Sequence, residues 1–154
     1  MRNGIIIPLI LLAVTAAPIT SSAIPRPCSE EELVESSDYA VQGTVTKVEC
    51  GEAQDSGECR PLDGEAGFKP EMVAECTATV SVTKSIKGDY AAGSDAPVPF
   101  LKVVSPCENG SHIIPGSPKA DLLESMTVKY YNSAACRYSN LEILPSPTPG
   151  PGRE

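Results

Sequence analysis

The chain has 154 residues with 12 basic and 20 acidic side chains, a formal charge of −8. Its lysines and arginines are scattered, with no run of three, which excludes nucleic acid as the partner because a phosphate backbone is gripped by clustered cations. The acidity itself reads as solubility in an extracellular medium. Residues 1–23 are set apart as an export signal. Arg2 supplies the positive start, Ile5 to Ala17 is an almost unbroken apolar run, and Ser21-Ser22-Ala23 places small residues where a signal peptidase reads, so cleavage is expected after Ala23. The apolar run contains Pro8 and falls short of the roughly 20 residues that a bilayer requires. No later segment approaches that length, so no membrane span is expected. A lipid anchor is not expected at Cys28 either, because Pro25-Arg26-Pro27 precedes it. The product is expected to be secreted, whether extracellular or periplasmic, with residues 24–144 as its one folded domain.

The domain begins with a stiff lead, since Pro25 and Pro27 fix φ and bias their neighbours away from helix. Ser29-Glu30-Glu31-Glu32-Leu33-Val34 then reads as a helix start, with Ser29 as N-cap and Glu32 at the reciprocal capping-box position. A short helix is expected over residues 30–36, with its glutamates on the positive end of the helix dipole. Successive glutamates on a helix diverge and cannot converge on one cation. Tyr39 to Val48 alternates as a half-buried strand. Cys76 to Gly88 does so more clearly: Ala78, Val80 and Val82 share one face, and Thr77, Thr79, Ser81 and Thr83 share the other. These two runs are expected to pair as a hairpin around an exposed loop from Gly51 to Pro70, rich in Gly, Asp, Glu and Pro.

Gly88 and the segment Ala91 to Asp95 mark turns. Val98 to Val104 reads as a shorter strand that Pro97 and Pro99 confine to an edge. Asn109-Gly110-Ser111 fits a glycosylation sequon, a pattern frequent by chance. Leu122-Leu123-Glu124 is read as a helical turn, and Met126 to Tyr131 and Cys136 to Leu144 as the last two strands. Pro145 to Glu154 is read as a disordered Pro-rich tail with nothing to bury.

Cys28, Cys50, Cys59, Cys76, Cys107 and Cys136 are an even set in an exported chain and read as three disulfides. Cys50 bridges either Cys59, closing the loop, or Cys76, at the foot of the opposing strand; the sequence leaves both open. Zinc ligands come as close pairs, whereas the nearest cysteines here are Cys50 and Cys59, and His112 is the only histidine. No metal or cofactor is expected, no free thiol can pair with that imidazole as a nucleophile, and the chain is not read as an enzyme.

Five strands in a meander behind a short helix give a mainly β fold compatible with a five-stranded OB-like barrel, stapled by disulfides. The order of Cys28 and Ser29-Glu-Glu-Glu-Leu, then Ser37-Asp38-Tyr39-Ala40-Val41-Gln42-Gly43-Thr44-Val45, Val80 to Gly88, Pro106-Cys107 and Ala135-Cys136-Arg137 resembles exported netrin-like domains, the group of the tissue inhibitors of metalloproteinases. The likeness covers residues 28–144. It implies an OB barrel with Cys28 tied to Cys107 or Cys136, and a non-catalytic module that binds a protein partner through Pro27, Cys28 and Ser29. The family's inhibitors chelate a protease zinc through the free α-amine and carbonyl of an N-terminal cysteine. Here Ile24 to Pro27 would precede Cys28, and Glu30 stands where those members carry a second cysteine. Zinc chelation on a metalloprotease is therefore the alternative function and needs processing to Cys28. On the first reading, the strip Ile24 to Pro27 lies beside the acidic loop of Glu52, Asp55, Glu58, Asp63 and Glu65.

Overall fold

Both edges of one long strand, β4 (Met72–Lys87), are occupied, and the other elements follow from that. The computed structural model describes residues 25–146; the expected export signal and the part of the expected disordered tail beyond Ser146 lie outside the described residues. Along β4 the side chains of Ala74, Cys76, Ala78, Val80 and Val82 are buried in alternation, as the period of two requires. β1 (Ala40–Cys50) pairs antiparallel with one edge, from Ala40 opposite Lys87 to Cys50 opposite Cys76. β5 (Asp95–Ser105) pairs with the other. The expected hairpin is present, and β4 begins four residues earlier than the alternation suggested. Val73 and Ala74 are buried under flanking pairings that no local pattern announces.

The described residues are mainly β with one helix. α1 (Glu30–Ser36) has the expected capping box, with Ser29 and Glu32 bonding reciprocally. Its far end is closed by Lys87, whose Nζ donates to the carbonyls of Val34 and Glu35 at 2.8 and 3.2 Å. Leu33 is the face that docks, against Ala40, Tyr131 and Cys136. The first-turn glutamates diverge: Glu30 pairs with Lys129, and Glu32 with Arg26.

β7 (Thr127–Tyr131) does not continue a meander from β5. It returns to the free edge of β1, and β8 (Leu141–Leu144) follows on its outer side. The rows therefore run β5, β4, β1, β7, β8, all antiparallel. β2 (Gln54–Asp55) extends the β1 edge along Val73 and Met72. Among the described residues no ladder joins β5 to β8, so the sheet does not close into the expected barrel. The crossing from β5 to β7 is made by residues 117–122. Ala120 N donates to Leu101 O at 2.8 Å, and Leu122 is fully buried in the main core with Val45, Ala78, Val80, Val98 and Val128. Each of these Val and Leu side chains contributes about 1.5 to 3 kcal/mol on burial. Leu122 lies in an irregular segment, not in the expected helical turn.

Three further expectations are corrected. The 51–70 loop contains β2 and β3 (Cys59–Pro61), the latter paired with β6 (Gly110–His112). This small second sheet takes in the sequon, whose Asn109 side chain donates to the carbonyls of Ala66 and Gly67. The last strand starts at Leu141 and not at Cys136, because residues 136–139 fold into a turn held by Ser139 N to Cys136 O and Cys136 N to Ser133 Oγ. β5 starts at Asp95, three residues early, since Ala96 is buried opposite Val80. Its pairing with β4 alone agrees with the edge position that Pro97 and Pro99 require.

The disulfides are Cys28–Cys136, Cys50–Cys76 and Cys59–Cys107, with no free cysteine among the described residues. Cys50 thus takes the cross-strand option, and the loop is stapled through Cys59 to Cys107 instead. No helix of the described residues is long and apolar enough to cross a membrane.

Two measurements follow from this architecture. Gly43 lies at a register shift of β1, and an added Cβ would collide with the Ser81 carbonyl and come within 2.7 Å of Val80 Cγ1. Gly43→Ala should cost about 3 kcal/mol, read as a lower urea midpoint at an unchanged m-value. The Cys28–Cys136 bridge spans 108 residues, and a loop of that length is worth roughly 4 to 5 kcal/mol in the chain-entropy account. Cys28→Ser with Cys136→Ser should lower the melting temperature by well over 10 °C, and an unchanged melting temperature would show that burial alone holds α1 in place.

Candidate functional site

The two end rows of the sheet border a cleft of about 990 Å³. Pro99, Phe100 and Leu101 of β5 form one wall, and Leu141 and Ile143 of β8 the other, with Tyr138 at the turn before β8. Residues 117–121 cross between them. Phe100, Ala120 and Leu141 also pack on the main core, so the apolar floor of the cleft is the outer skin of that core. Glu75 and Arg137 add charge at its sides. The volume is that of a ligand or peptide site, in which apolar lining supplies contact area and a few polar groups fix orientation.

The crossing segment is set in place by a cluster of charges. Lys119 Nζ lies 2.5 Å from Glu58 Oε2 and 3.0 Å from Glu71 Oε1, the latter an ion pair outside hydrogen-bond alignment. Glu58 Oε1 also accepts from Ser117 N at 2.7 Å, and Glu71 Oε2 lies 2.9 Å from His112 Nε2. An ionised carboxylate can only accept, so Nε2 carries the hydrogen. The Glu71 side chain is 6% exposed. Burial alone would push both carboxyls up, but hydrogen bonds outweigh it. Those from Lys119 and Ser117 hold Glu58 down to about 2, and the bond from His112 together with the nearby Lys119 ammonium lowers Glu71. Burial likewise opposes the ammonium of Lys119, which its two carboxylate partners nevertheless raise. The cluster joins β3, the strand β4 at its start, β6 and the crossing segment through residues far apart in the chain.

Glu58 is therefore turned inward and is not part of an acidic face offered to a partner. Glu52, Asp55, Asp63 and Glu65 are exposed, while Lys69 is paired with Glu108. The N-terminal strip is held elsewhere. Pro27 and Ser29 are exposed and Cys28 is half-buried, with its sulfur in the bridge to Cys136 and its backbone N donating to Ser139 Oγ at 3.1 Å. α1 and the strip dock at the Ala40 end of β1, and the loop leaves from the Cys50 end. No hydrogen bond or ion pair joins residues 25–29 to residues 51–70 among the described residues. The expected juxtaposition of strip and loop is replaced by a juxtaposition of loop and cleft wall. With Pro27 before it, the Cys28 nitrogen is an amide, not the free amine that zinc chelation demands.

Several cleft residues, such as Cys76, Thr77 and Pro99, stand in strands that the sequence predicts, but nothing in the sequence marks them as parts of one site. Its walls come from a ladder, an irregular crossing and a turn, and no spacing in the chain signals their convergence. Among the described residues no three His, Cys, Asp or Glu side chains are grouped so as to hold a metal ion.

Because the pKa of Glu58 is depressed in the folded state, its contribution is complete above the ordinary carboxyl value and is lost as pH falls toward 2; Glu71 acts in the same sense. Stability should therefore decline on acidification below about pH 5. Lys119→Met, which takes the ammonium away from two largely buried carboxylates, should cost roughly 3 kcal/mol at pH 7, and the loss should shrink as the pH is lowered and the carboxylates take up protons. Chemical denaturation between pH 3 and 7 checks both.

Comparison with protein-family models, curated proteins and solved structures finds no match to this chain.

Proposed function

We propose that the chain is a secreted, non-catalytic protein-binding module of the netrin-like type, built on an OB-like barrel left open at one seam. The observation that carries this reading is the cleft between β5 and β8: an apolar, core-backed groove fixed by the crossing segment instead of being closed by a ladder. An OB-type fold is a partly open five-stranded barrel, and the five antiparallel rows here suit such a frame with the last seam unzipped. Three disulfides are compatible with an oxidising, extracellular environment. The charged cluster beside the cleft supports a scaffolding role over acid–base chemistry, because Lys119 is clasped by two carboxylates and Glu71 is already committed to His112.

The metalloprotease-inhibitor alternative depends on the chain beginning at Cys28. Mass spectrometry of the secreted product, followed by inhibition assays against zinc proteases and chemical cross-linking in the native culture medium, separates the two. The expected outcome is an N-terminus at Ile24, no zinc-dependent inhibition and a cross-linked protein partner. An N-terminus at Cys28 with inhibition that zinc-site blockers abolish would replace the binding-module reading with the inhibitor.

A further inference from the structure

We infer that the cleft takes an extended peptide segment of the partner, laid along β8, with an acidic side chain of that segment seated on Arg137. The inference rests on the binding-module reading and specifies the partner chemistry. Two independent features point to it. First, β8 is paired only with β7 among the described residues, so its other edge presents backbone N–H and C=O groups without a ladder partner. An added strand satisfies such groups, which a compact small molecule cannot do along their length.

Second, the chain is acidic overall, yet Arg137 at the cleft has no carboxylate within ion-pair distance among the described residues. Its guanidinium lies 5.0 Å from the centre of the Tyr138 ring and donates to the Tyr138 hydroxyl at 3.1 Å. The stacked ring orients the guanidinium and leaves other donors of its fork free for a carboxylate, the geometry in which arginine binds best. The other cation lining the cleft, Lys119, is consumed by Glu58 and Glu71. Of the two carboxylates that also line the cleft, Asp121 is paired with Lys102 and Glu75 is in no ion pair among the described residues, so a second acid on the peptide is disfavoured near Glu75. Leu141 and Ile143 share one face of β8 and Ile143 is 48% exposed, so the segment should carry apolar, β-branched residues at alternate positions beside its acidic one.

Phage-displayed random linear heptapeptides panned on the intact protein test this. The selection should enrich sequences with one Asp or Glu among alternating β-branched residues, and panning on Arg137→Glu protein should not. A fluorescein-labelled synthetic copy of an enriched peptide should bind Arg137→Gln about tenfold more weakly. It should bind Lys84→Gln, an exposed cation elsewhere on the surface, unchanged. Replacing the peptide's acid by its amide should cost the same on the parent protein and nothing more on Arg137→Gln. No enrichment over the Arg137→Glu control, or peptides indifferent to Arg137→Gln, would overturn the inference. A cross-linked native partner whose contacts map outside the cleft would overturn it too, while leaving the binding-module reading intact.

Discussion

When β1 and β4 pair, Val45, Ala78 and Val80 arrive on one face and create the surface against which everything else is buried. Neither strand could persist alone, because an isolated two-stranded ribbon is marginal in water. The pairing is tight: at Gly43 the backbones approach so closely that no side chain fits between them. From that ladder the remainder follows by edge. β5 takes the outer side of β4, β7 takes the outer side of β1, and α1 covers the end of the sheet where Ala40 and Tyr131 lie opposite one another. The Cys50–Cys76 bridge then fixes the far end of the same ladder in covalent form.

What could be read from the chain alone was what depends on near neighbours. Ser29 and Glu32 specify a helix start within four residues, and the alternation of Ala78, Val80 and Val82 specifies a half-buried strand without knowledge of its partner. Pro97 and Pro99 likewise exclude a central position for β5 whatever lies beside it. The choices that escaped all depend on distant residues. Cys136 to Ser139 carries strand-like composition, yet a bridge to Cys28 and a bond from its own backbone to Ser133 fold it into a turn. A meander would place β7 beside β5, but β7 pairs with the open edge of β1, where Val128 and Tyr130 are buried, and Ala120 of the crossing segment bonds to Leu101 of β5. Leu122 looks locally like one turn of helix, and its fate is set by its burial among Val45, Val80, Val98 and Val128.

The site escaped for the same reason. Glu58 and Glu71 stand in an acidic, loop-like stretch where carboxylates are usually solvated, and nothing nearby in sequence announces Lys119 or His112 as partners. Yet these buried charges decide where the crossing segment runs, and the crossing segment decides whether the sheet has a seam or a cleft. A polar cluster of this kind is costly to desolvate and tolerable only when its pairs are matched. Its effect here is positional: it selects one path among several that hydrophobic contact alone would accept. The cleft is thus shaped by electrostatics acting at its own border, where Ser117 and Lys119 are held by Glu58.

The Cys28–Cys136 bridge has a mechanical meaning. It links a residue near the start of the described chain to one shortly before β8, so tension entering at one end and leaving at the other bypasses α1, β1, β4, β5 and the core between them. The load falls on the residues after Cys136, where β8 is held to β7 by a short antiparallel zipper. Under a pull the molecule would surrender that one strand and then stop, its interior shielded by a covalent shunt. The strand surrendered is a wall of the cleft, so traction on the chain would release whatever the groove holds before it threatened the fold.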